Sequence, residues 1–307
     1  MPEIVTFFAV FITIFLSGMA VLRTGLKQFA PGKIQTVMAA AVRTPVHGLA
    51  AGALITALVQ SSSAVMVMAI GLIAAGHLSF RQSIGIILGT NIGTTFTAEM
   101  LLINIEKMVV PLLIIGAILL LSSKAGLFNF GTVIFGLGCI LTAMQGFERL
   151  APSLSAIPAV QDILLHAGDV SLVGVGLGTL LTAVIQSSSA ATGIVMGFMN
   201  SSSISLQAAI AIVLGTNVGT CITAYLASLG SSREAKLTAY AHIWVNVLSV
   251  LLFLPFIKTL NEILPAIAAN PDSQIAHLSV VINVVTSAVV LPFAGPFGKL
   301  IEKVHGS

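Results

Sequence analysis

Two short polar runs lie inside strongly apolar segments and are the first residues whose types could do chemistry. They occur in LVQSSSAVM (Gln60 to Ser63) and in VIQSSSAAT (Gln186 to Ser189). Burying such side chains is costly unless they find partners. Serine hydroxyls can donate hydrogen bonds to an oxyanion, and the glutamine amide can serve an anion or a cation. Serines ahead of an apolar arm also predict a helix N-terminus, whose free N–H groups and dipole attract anions.

A second motif follows each polar run and has the residue types of a hard-cation site. It reads LGTNIGTTFTA from Leu88 and LGTNVGTCITA from Leu214. The glycines predict a discontinuous helix in each case, whose freed carbonyl groups would join hydroxyl and amide oxygens. Uncharged oxygen ligands suit sodium. The residues predicted to bind sodium or to support the substrate are Thr90, Asn91, Thr94, Thr95, Thr216, Asn217 and Thr220.

Composition shows which elements must position these residues. The 307 residues are 57% hydrophobic and 7% charged, with a mean hydropathy of +1.08, whereas soluble domains have about 25% charged residues. Four windows without Asp, Glu, Lys or Arg are long enough to cross a bilayer. They are Ile4 to Leu22, Phe128 to Phe147, Leu237 to Ile257 and Ala276 to Ala294. This composition predicts a polytopic helical membrane protein, in which basic residues report orientation and not nucleic-acid binding.

Cysteine and histidine chemistry adds little to this interpretation. The two cysteines, Cys139 and Cys221, both fall in apolar segments, so neither a disulfide framework nor a metal site is indicated. His242 and Asn246 are four residues apart and share a helix face. They are lower-ranked site candidates, because a structural role for a buried histidine is the more common one.

The chain contains an internal duplication. Residues 56–98 align without gaps on residues 182–224, at an offset of 126, with 19 identities in 43 positions. The expected organisation is a first transmembrane repeat over 1–124, a second over 125–258, and a loop plus an extra C-terminal transmembrane helix over 259–307. The glycines at 48, 52, 174 and 178 are expected to serve close helix packing.

The apolar arms that flank each QSSS run determine the expected threading. Each arm has about 13–15 residues, fewer than the roughly 20 that cross a bilayer. We therefore expect two re-entrant helical hairpins with QSSS at their tips. Each half then has three spans, and an odd number inverts the second half. The predicted fold is an all-α polytopic membrane protein with two inverted-topology repeats, each with a re-entrant hairpin and a discontinuous helix.

The distribution of basic residues agrees with this threading if the N-terminus is outside and the C-terminus is cytoplasmic. Ten basic residues then fall in cytoplasmic loops and three on the opposite side, as the positive-inside rule expects. The ten are Arg23, Lys27, Lys33, Arg43, Arg81, Lys124, Arg233, Lys236, Lys299 and Lys303, and the three are Lys107, Arg149 and Lys258. No basic residue is expected at the site, so sodium ions are the simplest neutralising partners of a bound anion.

The paired QSSSA motifs, with GTNIGTT and GTNVGTC in register downstream, resemble the type II sodium/phosphate cotransporter family and its bacterial relatives. The resemblance covers residues 45–256 and implies sodium-driven phosphate uptake by alternating access in a cytoplasmic membrane. It implies no enzymatic activity, no cofactor besides co-transported sodium, and inorganic phosphate, sodium ions and the lipid bilayer as partners. The residues that inherit phosphate binding are Gln60, Ser61, Ser62, Ser63, Gln186, Ser187, Ser188 and Ser189.

Three other functions remain open from the residues themselves. A sodium-coupled carboxylate carrier could use the same two tips. An intramembrane serine hydrolase would need a base near a serine, and His47 lies 14 residues before Ser61 without a counterpart in the second half. A channel is disfavoured, because paired re-entrant tips would close the path.

Overall fold

The computed structural model of the protein describes residues 2–29, 38, 42, 44–102 and 109–306, and its regular structure is all-helical. No strand occurs within these ranges. The helices are α1 (Pro2–Phe29), α2 (Pro45–Val59), α3 (Ser62–Ala74), α4 (Phe80–Met100), α5 (Val109–Leu120), α6 (Ala125–Ser155), α7 (Pro158–Asp169), α8 (Ser171–Ile185), α9 (Ser188–Asn200), α10 (Leu206–Gly219), α11 (Cys221–Ser228), α12 (Arg233–Phe253), α13 (Ile257–Ile267), α14 (Pro271–Val290) and α15 (Ala294–His305).

Several helical segments have the length and apolar composition that a membrane span requires. In the described part of the chain they number five: Glu3–Leu26, Ala125–Ser155, Leu206–Ser228, Arg233–Ile267 and Pro271–His305. The four apolar windows predicted from the sequence lie inside four of these segments. The protein is a multi-pass membrane protein, as its composition predicts.

The arms beside each QSSS run form separate short helices. In both copies the first arm has 15 residues and the second has 13, as α2 and α3 and again as α8 and α9. A helix of 15 residues is about 22 Å long, whereas the hydrocarbon core is about 30 Å thick. Neither arm is therefore long enough to cross the core alone.

The prediction of a discontinuous helix in each half is wrong for the first half. Helix α4 is unbroken, whereas its counterpart is interrupted at Thr220, between α10 and α11. The glycines serve close packing instead. A Cβ atom on Gly89 would collide with the carbonyl oxygen of Leu49 in α2, and one on Gly215 with that of Val175 in α8. Small residues allow the two backbones to approach this closely without breaking the helix.

The C-terminal region contains two similar units, and the loop expected from residue 259 is mostly helical. Helices α12 and α14 each end in a 3₁₀ turn with the sequence LPF, at Leu254–Phe256 and Leu291–Phe293. The chain then continues as α13 and α15, because proline tolerates the first positions of a helix. The second turn begins 37 residues after the first, and Asn283 lies 37 residues after Asn246, the asparagine that precedes the first turn.

The buried apolar residues form two clusters, and each combines helices from both repeats. In the first cluster Phe15 of α1 packs with Phe147 of α6, next to the apolar residues of α9 and α10. In the second cluster α2, α3 and α4 pack with α12 and α15. The two short helix pairs therefore belong to different clusters. Their QSSS tips nevertheless line one common cavity.

Candidate functional site

The two QSSS tips have the same backbone geometry. Gln60 and Gln186 end the first arm in the left-handed region, with φ of 54° and 57°, which is uncommon for residues other than glycine. The next residues, Ser61 and Ser187, are extended N-caps of the second arm. Each accepts a hydrogen bond from the backbone N–H three residues later, at 3.2 and 3.3 Å. Helices α3 and α9 thus begin at the serine runs, where their positive dipole ends lie.

One small cavity, which we call the tip cavity, lies between the two tips. All eight residues predicted to bind phosphate line it, and their role in binding stays a prediction. Its lining consists of Gln60, Ser61, Ser62, Ser63, Gln186, Ser187, Ser188 and Ser189 with Arg23, Thr94 and Thr97. The cavity measures about 10 Å³, which is room for roughly one water molecule. The space between the tips is therefore narrow in this structure.

The two glutamines are not equivalent. Gln60 is only 1% exposed. Its Nε2 donates to the carbonyl oxygen of Ala57, and its Oε1 accepts a hydrogen bond from Thr97 Oγ1 at 2.8 Å. Gln186 is exposed. The Gln60 amide is therefore engaged in holding the first tip against α4, which leaves the serines of that tip as the freer donors.

Arg23 lines the tip cavity, and the expectation that no basic residue lies at the site is wrong. Its Nε donates to the carbonyl oxygen of Gln60 at 2.8 Å. The sequence predicts a loop at Arg23, because the first apolar window ends at Leu22. Helix α1 instead continues to Phe29. The signal that could have found Arg23 is a charged residue inside a long apolar helix, which by default suggests a function.

A second cavity, which we call the oxygen-lined cavity, lies beside the second tip and is lined mainly by uncharged polar groups. It measures about 20 Å³. Its lining consists of Thr94, Thr95, Ala98, Ser188, Ser189, Thr192, Thr216, Asn217, Ser279 and Asn283. Four of the residues predicted to bind sodium are present, namely Thr94, Thr95, Thr216 and Asn217. Thr192, Ser279 and Asn283 are not among the residues predicted from the sequence. Asn283 alone carries a sequence signal, because it precedes the second LPF turn at the distance at which Asn246 precedes the first.

Two matching asparagine pairs fix the Thr-Asn helices to later helices. Asn91 Nδ2 donates to Asn246 Oδ1 at 2.9 Å, and Asn217 Nδ2 donates to Asn283 Oδ1 at 3.2 Å. Of the two pairs, only Asn217 and Asn283 line the oxygen-lined cavity. Asn246 is fully buried in the first pair. Asn91 and Asn246 therefore have a structural role in this arrangement.

Three further predicted site residues lie away from both cavities. The hydroxyls of Thr90 and Thr220 donate to carbonyl oxygens of Ile87 and Asn217, three residues earlier in the chain. His242 is 2% exposed, and neither ring nitrogen has a hydrogen-bond partner among the described residues. The structure thus does not bring Thr90, Thr220 or His242 to either cavity.

The arrangement does not support hydrolysis by a serine nucleophile. His47 Nδ1 lies 2.8 Å from Thr44 Oγ1, at the start of α2, whereas Ser61 follows the other end of that helix. The lining of the tip cavity contains no histidine or carboxylate that could act as a base. Within the described ranges, no group of three or more His, Cys, Asp or Glu residues could hold a metal ion.

The fold is thus a multi-pass helical bundle with a small polar cavity between two helix tips. The sequence matches the family described as Na+/Pi-cotransporter over residues 14–149 and 153–269. The chain therefore belongs to the Na+/Pi-cotransporter family. This family consists of phosphate transporters, which are not enzymes.

Two bacterial relatives match nearly all of this chain. The chain is 40% identical over 295 residues to "Uncharacterized protein YqeW" of Bacillus subtilis, covering 96% of both chains. It is 26% identical over 291 residues to "Putative inorganic phosphate export protein YjbB" of Escherichia coli, covering 94% of this chain and 53% of that protein. It thus spans about half the length of YjbB.

An animal relative matches over a shorter region. The human "Sodium-dependent phosphate transport protein 2B" is 40% identical over 90 residues, which are 27% of this chain and 13% of that protein. No solved structure matches the chain.

Proposed function

We propose that the protein is a sodium-coupled symporter of inorganic phosphate that works by alternating access. The observation that carries the proposal is the convergence of both QSSS tips on one cavity. Because the tips belong to different helix pairs, a bound anion would be held jointly by the two halves of the protein. The family and the printed name of the human relative support phosphate and sodium as the transported ions.

The chemistry of the tip cavity favours a tetrahedral oxyanion. Hydroxyl groups and two helix N-termini donate toward the cavity from both sides, so several oxygens of one phosphate can be bound at once. A carboxylate, the second candidate, offers two oxygens in one plane. Since the cavity has room for about one water molecule, we expect the tips to separate when phosphate enters.

The oxygen-lined cavity is the proposed sodium site. Hydroxyl and amide oxygens without a formal charge suit a hard monovalent cation, and about 20 Å³ is enough for one such ion. Thr94, Ser188 and Ser189 line both this cavity and the tip cavity. A cation that orders these shared residues would prepare the anion site, which is a direct physical route to coupled binding.

We further propose that the short helix pairs are re-entrant hairpins and that the two repeats have inverted topology. Rocking of one repeat against the other would then expose the tips to alternate sides. The N-terminus would be outside and the C-terminus inside a cytoplasmic membrane. With Arg23 moved from a loop to the site, the basic residues still divide nine to three in favour of the cytoplasmic side. Lys33, Arg43 and Lys107 of this count lie outside the described residues.

The test is transport by the purified full chain in proteoliposomes. We expect radiolabelled phosphate to accumulate when sodium is imposed on one side, and not when choline replaces sodium. Labelled succinate and citrate are measured in the same vesicles. Sodium-driven uptake of either carboxylate, without phosphate uptake, would establish the second candidate instead. Phosphate flux that is insensitive to sodium would disprove sodium coupling while retaining the phosphate site.

A further inference from the structure

We propose that two adjoining cavities beside α7 form a binding site for one phospholipid, whose head group is zwitterionic and ends in a primary ammonium. The site shares no lining residue with the tip cavity or the oxygen-lined cavity. The inference therefore goes beyond the proposed function and does not depend on it.

The first of the two cavities, which we call the polar cavity, measures about 450 Å³. It lies between the end of α6, α7, the segment that joins α9 to α10, and α13. Its polar lining consists of serine hydroxyls, the side-chain amides of Gln161, Gln207 and Asn261, and the carboxylate of Asp169. Lysine, arginine and histidine are absent from the lining that the described residues form. A purely anionic head group would therefore find no basic side chain here.

The second cavity, which we call the apolar cavity, measures about 250 Å³ and is lined by apolar side chains alone. They come mainly from α1 and α6 to α10 and include Phe8, Leu177 and Phe198. Leu164 and Ile204 line both cavities, so the two border on each other at these side chains. Taken together, the cavities fall within the range of about 300–1,000 Å³ that ligand pockets occupy. They match the two parts of an amphiphile.

The polar cavity has a negative and a positive pole next to each other. Asp169 ends α7, where the helix dipole is negative, whereas Ser205 caps the N-terminus of α10, where the dipole is positive. The two helix ends are in contact, since Gln207 Nε2 donates to the carbonyl oxygen of Gly168 at 2.8 Å. Because the dipole ends oppose each other, the Asp169 carboxylate decides the net charge of the lining. A zwitterion matches this arrangement, with its phosphate toward α10 and its ammonium toward Asp169.

Other ionisable groups on the neighbouring helices do not change this balance. Asp162 lies 3.4 Å from His166 Nδ1 on α7, and both residues are exposed. On α13, Lys258 and Glu262 carry opposite charges and are exposed. None of these four residues lines either cavity.

Ser155 gives independent support for a ligand in the polar cavity. It lines this cavity, and its Oγ is buried without a hydrogen-bond partner among the described residues. A buried hydroxyl without a partner costs free energy, and few such groups occur in native structures. A phosphate or ester oxygen in the polar cavity would accept its hydrogen bond.

Helix α7 has the exposed residues of a helix at the boundary between water and lipid. Ile163 and Leu165 are 45% and 61% exposed, whereas Asp162 and His166 give the same helix exposed polar groups. An amphipathic helix of this kind lies in the plane of the membrane surface. This position places the polar cavity at the depth of lipid head groups.

A single acyl chain is the occupant that fits the apolar cavity. A helix of a partner protein or of a second copy is about 10–12 Å wide with its side chains, which is too wide for a cavity of about 250 Å³. A lipid chain is narrower, and the bilayer around a multi-pass protein supplies it at high concentration. The site therefore takes a lipid by one of its chains and by its head group.

The experiment is native mass spectrometry of the purified full chain in a nonionic detergent, titrated with phosphatidylethanolamine or phosphatidylglycerol of identical acyl chains. We expect saturable binding of one phosphatidylethanolamine, about three- to fivefold tighter than that of phosphatidylglycerol. The preference is modest because Asp169 is exposed and exposed ion pairs are weak. Lysophosphatidylethanolamine, which has a single chain, should compete for the site. Water-soluble phosphoethanolamine, which has none, should not compete.

Two variants address the two cavities separately, and a third is the matched control. Asp169→Asn removes the carboxylate and should abolish the preference for phosphatidylethanolamine. Val160→Trp places a large ring in the apolar cavity and should abolish saturable binding of both lipids. Asp162→Asn changes an exposed carboxylate of the same helix that lines neither cavity, and lipid binding should be unchanged. All variants must first elute as a single species with the thermal stability of the parent protein.

Each other result has a defined meaning. Equal affinity of the parent protein for the two lipids, or binding that does not saturate, would overturn the inference. Competition by phosphoethanolamine as strong as that by the lysolipid would overturn it too, because the apolar cavity would then have no part in binding. An unchanged preference in Asp169→Asn would do the same for the head-group site. If Val160→Trp fails to fold, competition by the lysolipid in the parent protein decides the role of the apolar cavity. Because lipid binding is measured without phosphate or sodium transport, failure of the proposed function would leave these outcomes unaffected.

Discussion

The position of Ser188 between two cavities leads to the most specific prediction. Ser188 lines both the tip cavity and the oxygen-lined cavity, whereas Ser62, at the matching position of the first tip, lines only the tip cavity. Removing the Ser188 hydroxyl should therefore weaken the binding of phosphate and also of sodium. Removing the Ser62 hydroxyl should weaken the binding of phosphate alone.

The magnitude follows from burial and from the charge of the ligand. A hydrogen bond to a charged group contributes about 1.5–3 kcal/mol, and 1.4 kcal/mol corresponds to about tenfold in affinity. Ser188 is 7% exposed, so water cannot readily replace its hydroxyl. We expect Ser188→Ala to lower phosphate affinity about 10- to 100-fold. Ser62 is more exposed, and the effect of Ser62→Ala should lie at the lower end of this range.

The assay is phosphate binding at a series of sodium concentrations. Ser188→Ala should raise both the dissociation constant for phosphate and the half-saturating sodium concentration. Ser62→Ala should raise only the first. Ser202→Ala is the control, since this exposed serine lines neither cavity. An unchanged sodium dependence in Ser188→Ala, or an equal shift in Ser62→Ala, would disprove the double role of Ser188.

Two further predictions concern packing and threading. Gly215→Ala should destabilise the fold by about 1–3 kcal/mol through overpacking and so lower the melting temperature, because its Cβ would meet Val175 and lie 2.9 Å from the backbone nitrogen of Thr179. Gly176→Ala is the control, since open space surrounds this glycine. Equal melting temperatures of the two variants would disprove the packing role. His77 and Asn200 are exposed residues at the ends of α3 and α9 that lie away from the QSSS tips. In a cysteine-free background, His77→Cys and Asn200→Cys should therefore react with impermeant thiol reagents from opposite sides of the membrane. Labelling of both from the same side would disprove inverted topology.

Local features explain why much of the architecture can be predicted from the sequence. Composition alone indicates a membrane protein, because few charged residues separate the apolar windows. The break between α2 and α3 is encoded by Ser61, which caps the following helix through its own side chain. The same local chemistry recurs at Ser187. Such features need no information from distant parts of the chain.

The composition of the two cavities depends instead on contacts between residues far apart in sequence. Arg23 bonds to Gln60, 37 residues later, and Asn217 bonds to Asn283, 66 residues later. The extra length of α1 and the fit of the glycines in α4 against α2 are likewise properties of packed helices. A glycine in a sequence is compatible with a broken helix or with a close helix contact, and only the neighbouring backbone decides between them.

The sequence by itself therefore determined the membrane class, the duplication and the two serine tips, since periodicity, composition and helix capping act over a few residues. Only the tertiary structure decided that the tips share one cavity, that a basic residue lines it, and that helix α14, far along the chain, completes the oxygen-lined cavity. The physical reason is that charge compensation and ligation depend on distances across the fold, which local sequence does not specify.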